Sequence, residues 1–259
     1  MDNFADIARK IRRSLLKNSF SANACHLGSA LSCVEILVYL YWQLLKDEDI
    51  FIFSKASGVA ALYSVLAEKG IIPKSKIAYY LKNYPLISKE VPGVIWSGGS
   101  LGHGLPVAVG MALANRKRRV YCLMSDAEIQ EGTTWESALF AAQHQLDNLF
   151  VFVDMNGLQA CGRTKDILDI NPIEKKFKSF GWKTFFVNGH NFEAIDNVFI
   201  NKGCDGLSVE WRQFEKETPK VIILNTIKGK GIDFIEDDFE WHYRNLNKEL
   251  LKKALKCQI

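Results

Sequence analysis

The chain of 259 residues is 48% hydrophobic, enough for one large α/β core or two small domains, and its net charge of +4 is too weak to argue for a nucleic-acid-binding surface. Its six cysteines (25, 33, 122, 161, 204 and 257) form no CxxC pair and keep no regular spacing, which speaks against a disulfide framework and for a reducing compartment. No apolar run approaches the roughly 20 residues of a membrane span, and the opening MDNFADIARKIRRSLL is an amphipathic helix rather than a signal peptide, so a soluble, cytoplasmic protein is expected.

Phe4, Ile7, Ala8, Ile11 and Leu15 recur at helical spacing and open the chain with a helix; a second is expected from about Ser29 to Leu45. IFIFS (50–54) reads as a short strand, followed by a helix through VAALYSVLAEKG that Gly70 stops. PGVIWSGGSLGHG reads as a strand and a glycine-rich loop, and LPVAVGMALANR as the next helix. The basic run Arg116-Lys117-Arg118-Arg119 complements that helix's C-terminus and is read as a solvated connection. RVYCLM, NLFVFVD, WKTFFVNG and KVIILNT then read as strands, alternating with helices in TTWESALFAAQHQ, in IEKKFKSFG and from Asn191. Solid β-rich runs separated by helices of about ten residues imply an α/β domain whose parallel sheet is covered by helices on both faces. One domain over residues 1–259 is expected, its first hundred residues forming a helical layer.

In parallel sheets, ligands bind outside the carboxyl ends of the strands. Four such ends are chemically loaded here: Gly98–Gly104, Asp126, Asp154–Leu158 and Thr226–Gly231. A dinucleotide site is one reading, but the glycines at 98, 99, 102 and 104 fit GxGxxG in no register. A metal–diphosphate site is the other. Asp126 and Asn156 lie 30 residues apart with one helix and one strand between them, which puts them at the ends of adjacent parallel strands. A carboxylate, an amide oxygen and a backbone carbonyl are ligands suited to Mg²⁺, a hard cation that takes its remaining oxygens from phosphate and water. The bland alternative for Asn156-Gly157 is a hairpin turn, although LQACGRT beyond it lacks strand alternation. Spacing alone leaves both site readings open.

The stretch SDAEIQEGTTWESALFAAQHQLDNLFVFVDMNGLQ (125–159) resembles the cofactor signature of thiamine diphosphate enzymes in its transketolase form. HLGSALSCVEILVYLY (26–41), GSLGHGLPVAVGMALA (99–114), GWKTFFVNGHNFEAI (181–195) and TIKGKGIDFIEDDFEWH (226–242) are similar, in order, to further stretches of the transketolase N-terminal section. The resemblance implies thiamine diphosphate and Mg²⁺ as cofactors, with Asp126, Asn156 and the Leu158 carbonyl on the metal. It implies that Asp154 faces the thiazolium ring, that Gly99, Leu101, Ala127 and Glu128 line the cofactor, and that Lys228 lies near the diphosphate or a phosphorylated substrate. His26 and His242 would act on the substrate, His103 would touch cofactor or substrate, and Glu131, with Glu136, would lie near the interface between two cofactor sites. His144 and His190 read as surface or structural.

Three departures qualify that picture. The family's Gly-Asp-Gly stands here as Ser125-Asp126-Ala127, and Ser57 and Leu86 stand where relatives carry histidines that hold the sugar. Loss of two hydrogen-bonding groups argues against ordinary ketose-phosphate turnover and for an unusual sugar. The stretch after Ile235 offers a loop and one short helix, LNKELLKKALK, and no room for the family's second catalytic domain. A separate C-terminal-section subunit carrying the pyrimidine-binding domain is therefore expected, in an α2β2 assembly. The enzyme so implied moves a two-carbon ketol unit from a ketose to an aldehyde. The alternatives are a subunit of a thiamine-dependent 2-oxo acid decarboxylase or carboligase, and a catalytically degenerate subunit kept for assembly.

Overall fold

Five of the apolar runs pair into one all-parallel sheet in the computed structural model, which describes residues 2–199, 201–202, 208–209 and 218–257. Its strands are β1 (Ile50–Phe53), β2 (Val120–Ser125), β3 (Leu149–Met155), β4 (Lys183–Asn188) and β7 (Lys220–Asn225), in the order β1-β2-β3-β7-β4. The strands β5 (Asn201–Lys202) and β6 (Ser208–Val209) form a separate antiparallel pair.

Side chains alternate across each strand, and here both faces are covered, so the strands read as continuous apolar runs. Phe53, Tyr121, Leu123, Phe152, Ile222 and Leu224 belong to one core; Ile52, Cys122, Met124, Val151, Val153 and Ile223 belong to the other. The first core is closed by α1 (Asp2–Ala22), α2 (Leu27–Ser32), α3 (Val34–Tyr39), α4 (Val59–Glu68) and α5 (Ile77–Asn83). The second takes α6 (Gly104–Ala114), α7 (Gly132–Gln143) and, beyond the single turn α8 (Thr164–Ile167), α9 (Ile173–Ser179). The helices α10 (Phe192–Phe199) and α11 (Lys248–Ala254) complete the first layer. The expected architecture and the helical character of the first hundred residues are both present.

Two local expectations are corrected, and one helix is added. The single helix over 29–45 is two helices broken at Cys33 (φ −105°), ending in a wide turn in which Leu45 N donates to the Leu40 carbonyl at 2.8 Å. PGVIW forms no strand. Ile95 is 51% exposed, and the segment is held instead by Trp96 Nε1 donating to the Phe53 carbonyl (3.2 Å) and Gly98 N to the Ile87 carbonyl (3.2 Å). The helix α5 has no counterpart in the sequence reading, because two buried apolar residues, Ile77 and Leu81, are too short a periodic signal. No described helix is long and apolar enough to cross a membrane. Cys25, Cys33, Cys122, Cys161 and Cys257 are free thiols, and Cys204 lies outside the described residues.

The register sets the site. Ser125 pairs with Asp154, and Asp154 with Leu224, so β2, β3 and β7 end level with one another. Asp126, Asn156 and Thr226 therefore follow adjacent strand ends on the same edge of the sheet, as the spacing of Asp126 and Asn156 requires.

Candidate functional site

A cavity of 270 Å³ opens at that edge. Its walls come from the end of β1 (Lys55, Ser57), the end of β2 (Ser125, Asp126, Ala127) and the segment after β3 (Asn156, Leu158, Gln159). Leu86 lines it from the segment after α5, Gly99 and Leu101 from the glycine-rich loop, and His26, His242 and Tyr243 from the start of α2 and the C-terminal loop.

Asp126 is 2% exposed. Its Oδ2 accepts hydrogen bonds from Gly157 N (2.7 Å) and Thr164 Oγ1 (3.0 Å), and its Oδ1 from Ala127 N (2.9 Å). Burial, reinforced by the nearby Asp154 carboxylate, pushes its pKa up to about 6. Asn156 Oδ1 accepts from Leu158 N at 3.1 Å, which closes the turn, and Leu158 pairs with Arg163 in an isolated antiparallel bridge. The Asn-Gly pair thus opens a tight loop, with Gly157 at φ +72°.

Lys228 reaches the same loop from β7's end. It is 1% exposed, and its Nζ donates to the Gln159 carbonyl at 2.9 Å and the Leu158 carbonyl at 3.3 Å, with His242 Nδ1 at 3.4 Å. Burial, together with the Lys55 charge, lowers its pKa to about 8. Lys228 carries a hydrogen toward Nδ1, so the neutral His242 ring bears its own hydrogen on Nε2. Burial, then the Lys228 charge, depresses His242 to about 3. His26 is lowered for the same reasons, burial first and then Lys55 and Lys228. Its Nδ1 lies 3.4 Å from the Cys25 Sγ. Burial raises the Cys25 pKa, so the thiol keeps its hydrogen and offers it to that nitrogen. The two imidazoles meet edge to face with centroids 4.7 Å apart. His26 holds a left-handed backbone (φ 66°), fixed where its N donates to the His242 carbonyl at 2.9 Å.

Asp154 is fully buried and lines no part of the cavity. Its Oδ2 takes Ser32 Oγ (2.6 Å) and the Lys55 ammonium (3.1 Å), and its Oδ1 takes Thr226 Oγ1. Lys55, also buried, donates to the Ser29 carbonyl at 2.7 Å. Glu128 is fully buried as well, and its carboxyl turns from the cavity into the wall. It accepts from Ser54 Oγ, from Ser125 N (2.8 Å) and Oγ (3.1 Å), and from Gly102 N (3.3 Å), joining the ends of β1 and β2 to the glycine-rich loop.

The structure brings Gly99, Leu101, Asp126, Ala127, Asn156, Leu158, His26 and His242 to one cavity, with Lys228 directly behind it. Ser57 and Leu86 line it too. It does not bring His103, which is exposed ahead of α6, or Glu131, half-buried ahead of α7 beside Gly102, or the exposed Glu136. His144 is exposed and its ring packs at a tilt on Phe140. Lys55, Gln159 and Tyr243 are site residues that sequence reasoning missed, and Lys55 is the charged one. The signal for Lys55 is a lysine two residues past an apolar strand.

These residues fit a metal-bound diphosphate. Among the described residues no three His, Cys, Asp or Glu side chains are grouped to hold a metal ion. One carboxylate, one amide oxygen and one carbonyl instead belong to residues that line one cavity, donors of the kind that a hard cation takes alongside phosphate oxygens and water. The site also holds a carboxylate and an ammonium whose charged forms are both disfavoured by burial, Asp126 and Lys228. A cation at the first and an anion at the second would relieve both.

Comparison with known proteins agrees with a diphosphate ligand. The family described as transketolase, thiamine diphosphate binding domain, matches residues 5–257. An apulose-4-phosphate transketolase subunit from Actinobacillus succinogenes is 39% identical over 257 residues, covering 92% of this chain and 89% of its own length. A 6-deoxy-6-sulfo-D-fructose transketolase subunit from a Clostridium species is 33% identical, covering 96% and 93%. Among solved structures, transketolase from Campylobacter jejuni superposes with a TM-score of 0.86 at 25% identity, covering 98% of this chain but only 42% of the larger enzyme.

Proposed function

This chain belongs to the transketolase family, as its thiamine diphosphate-binding domain, and on that premise we propose that it is the diphosphate-binding subunit of a two-subunit enzyme that transfers a two-carbon ketol unit from a ketose to an aldehyde. The observation that carries the proposal is the placement of Asp126 and Asn156 just past adjacent strand ends, with Leu158 at the same cavity and the Lys228 ammonium directly behind it on the Leu158 carbonyl.

Asp126, Asn156 and the Leu158 carbonyl would hold Mg²⁺, and Lys228 would face the diphosphate. Thiamine diphosphate, once bound, supplies the nucleophilic carbon that carries the two-carbon unit. Gly99, Leu101 and Ala127 shape the cavity wall around it, and Glu128 braces that wall from behind. Asp154, matched by Lys55, keeps the floor of the site close to neutral. His242, with a hydrogen on Nε2, donates to a sugar oxygen, and His26 offers Nε2 beside it. Both rings are neutral at pH 7, so they orient hydroxyls and exchange a proton without adding charge. Glu131 and Glu136, outside the cavity, are assigned to contacts between subunits, and His103 to the rim.

The partner is a subunit carrying the pyrimidine-binding section, in an α2β2 complex in the cytoplasm. Relatives that this chain matches nearly end to end are named as transketolase subunits, which supports the division. The sugars in their names, apulose 4-phosphate and 6-deoxy-6-sulfo-D-fructose, support an unusual sugar here. So do Ser57 and Leu86, which leave that part of the wall one hydroxyl and one aliphatic side chain.

The test is to co-express the chain with the candidate second subunit, then to assay ketol transfer from a panel of ketoses, with a 2-oxo acid as control. Aldehyde-dependent turnover of a ketose by the pair, and by neither chain alone, is expected. Turnover of the 2-oxo acid only, or of xylulose 5-phosphate with ribose 5-phosphate at ordinary transketolase rates, would refute the reading.

A further inference from the structure

We propose that His190 is a positioning residue for Lys228, acting with Glu35 and Arg12 through the backbone of the loop that carries the lysine. The inference rests on the reading of Lys228 as the diphosphate's counter-charge and extends it to residues outside the cavity.

Lys228 is held at three neighbouring backbone positions. Ile227 N donates to His190 Nε2 at 2.8 Å, Gly229 N donates to the Gly28 carbonyl at 3.0 Å, and the Lys230 carbonyl accepts from Arg12 Nε at 3.1 Å. Two of these three ties meet at Glu35, which is 7% exposed. Its Oε1 takes Arg12 at 2.6 Å and its Oε2 takes His190 Nδ1 at 3.1 Å. His190 Nε2 receives an N–H and so must carry the lone pair. Nδ1 then carries the hydrogen and gives it to Glu35. The chain Arg12–Glu35–His190–Ile227 therefore has one consistent assignment of donors and acceptors. It runs along a second cavity, of 630 Å³, behind the loop and away from the 270 Å³ site.

Little slack remains once the backbone is set. A Cβ at Gly28 would lie 2.9 Å from the Lys228 Cγ, so the lysine stem passes directly over that glycine toward the Leu158 carbonyl. Thr226 stays tied to β3 through its N on the Met155 carbonyl and its hydroxyl on Asp154, so release of Ile227 from His190 lets residues 227–228 shift, and the ammonium leaves the loop that carries Asn156 and Leu158. A histidine that only filled space would serve as well if replaced by phenylalanine.

Thiamine diphosphate binding in saturating Mg²⁺ is measured by calorimetry on the full chain with its partner subunit, together with thermal unfolding of each variant. His190→Phe is expected to weaken binding about tenfold, in line with the loss when an orienting partner is removed. His190→Gln, whose amide can accept from Ile227 and donate to Glu35, is expected to restore binding to within about twofold. In a Lys228→Met background His190→Phe should add nothing further, whereas independent sites would add their effects. Unchanged binding in His190→Phe, or full additivity with Lys228→Met, overturns the proposal. Loss of binding in the glutamine variant while the phenylalanine variant binds normally overturns it too. Wild-type protein that binds no thiamine diphosphate at all would instead refute the function proposed above.

Discussion

At the scale of single residues, buried charges organise this site. Glu128 shows the pattern, since its buried carboxyl answers two backbone N–H groups and two hydroxyls from three separate segments. Truncation to alanine leaves those donors unpaired, and each such group costs about 1–3 kcal/mol. Glu128→Ala is expected to lower unfolding free energy by roughly 3 kcal/mol in denaturant titrations. A loss below about 0.5 kcal/mol, the usual range of a surface substitution, would contradict the bracing role. Glu35 gives a pH signature. Burial works against its charge, but Arg12 and His190 outweigh it and hold the carboxyl below its ordinary value of 4.5. A depressed carboxyl adds stability that is fully present above 4.5 and is lost as pH falls through its lower folded value. Wild-type stability should therefore drop more steeply below pH 4.5 than that of Glu35→Gln, and equal slopes for the two would contradict the pairing.

At the scale of elements, the loop between β7 and α11 places Lys228 by close approach. Gly229 sits at φ +84°, and a Cβ there would lie 2.4 Å from the Ile235 carbonyl oxygen. Gly229→Ala must open that contact as well as enter a strained backbone region, so a cost of about 2 kcal/mol and weaker cofactor binding are expected. Unchanged melting temperature and affinity would show that the loop tolerates displacement. This scale also shows what the sequence could convey. Asp126 and Asn156 were legible because strand, helix and strand each leave their own period, and the spacing then forces both onto one edge. PGVIW has a strand's composition but no neighbour to pair with, and only the assembled sheet shows that. Glu35 and His190 are 155 positions apart and meet through tertiary packing alone. The direction of the Glu128 carboxyl and the Lys55–Asp154 pair depend on which strand ends lie level, a property of register that composition does not carry.

At the scale of the whole molecule, the proposed function makes the cavity one wall of a site. The chain spans 42% of the length of the Campylobacter transketolase yet superposes on it closely. In the proposed enzyme, His26, His242 and Tyr243 stand at the rim where a second subunit would seat the rest of the cofactor and the sugar. The most direct test of the metal–diphosphate site is a calorimetric titration of thiamine diphosphate into the two-subunit complex, with and without Mg²⁺, for wild type and Asp126→Ala. Binding that requires Mg²⁺ and falls by at least about 100-fold in Asp126→Ala is the expected result, because a direct ligand should matter more than the 10–100-fold typical of outer-shell partners. Equal affinity in the two proteins, or binding indifferent to Mg²⁺, would contradict the assignment of Asp126 and Asn156 to the metal.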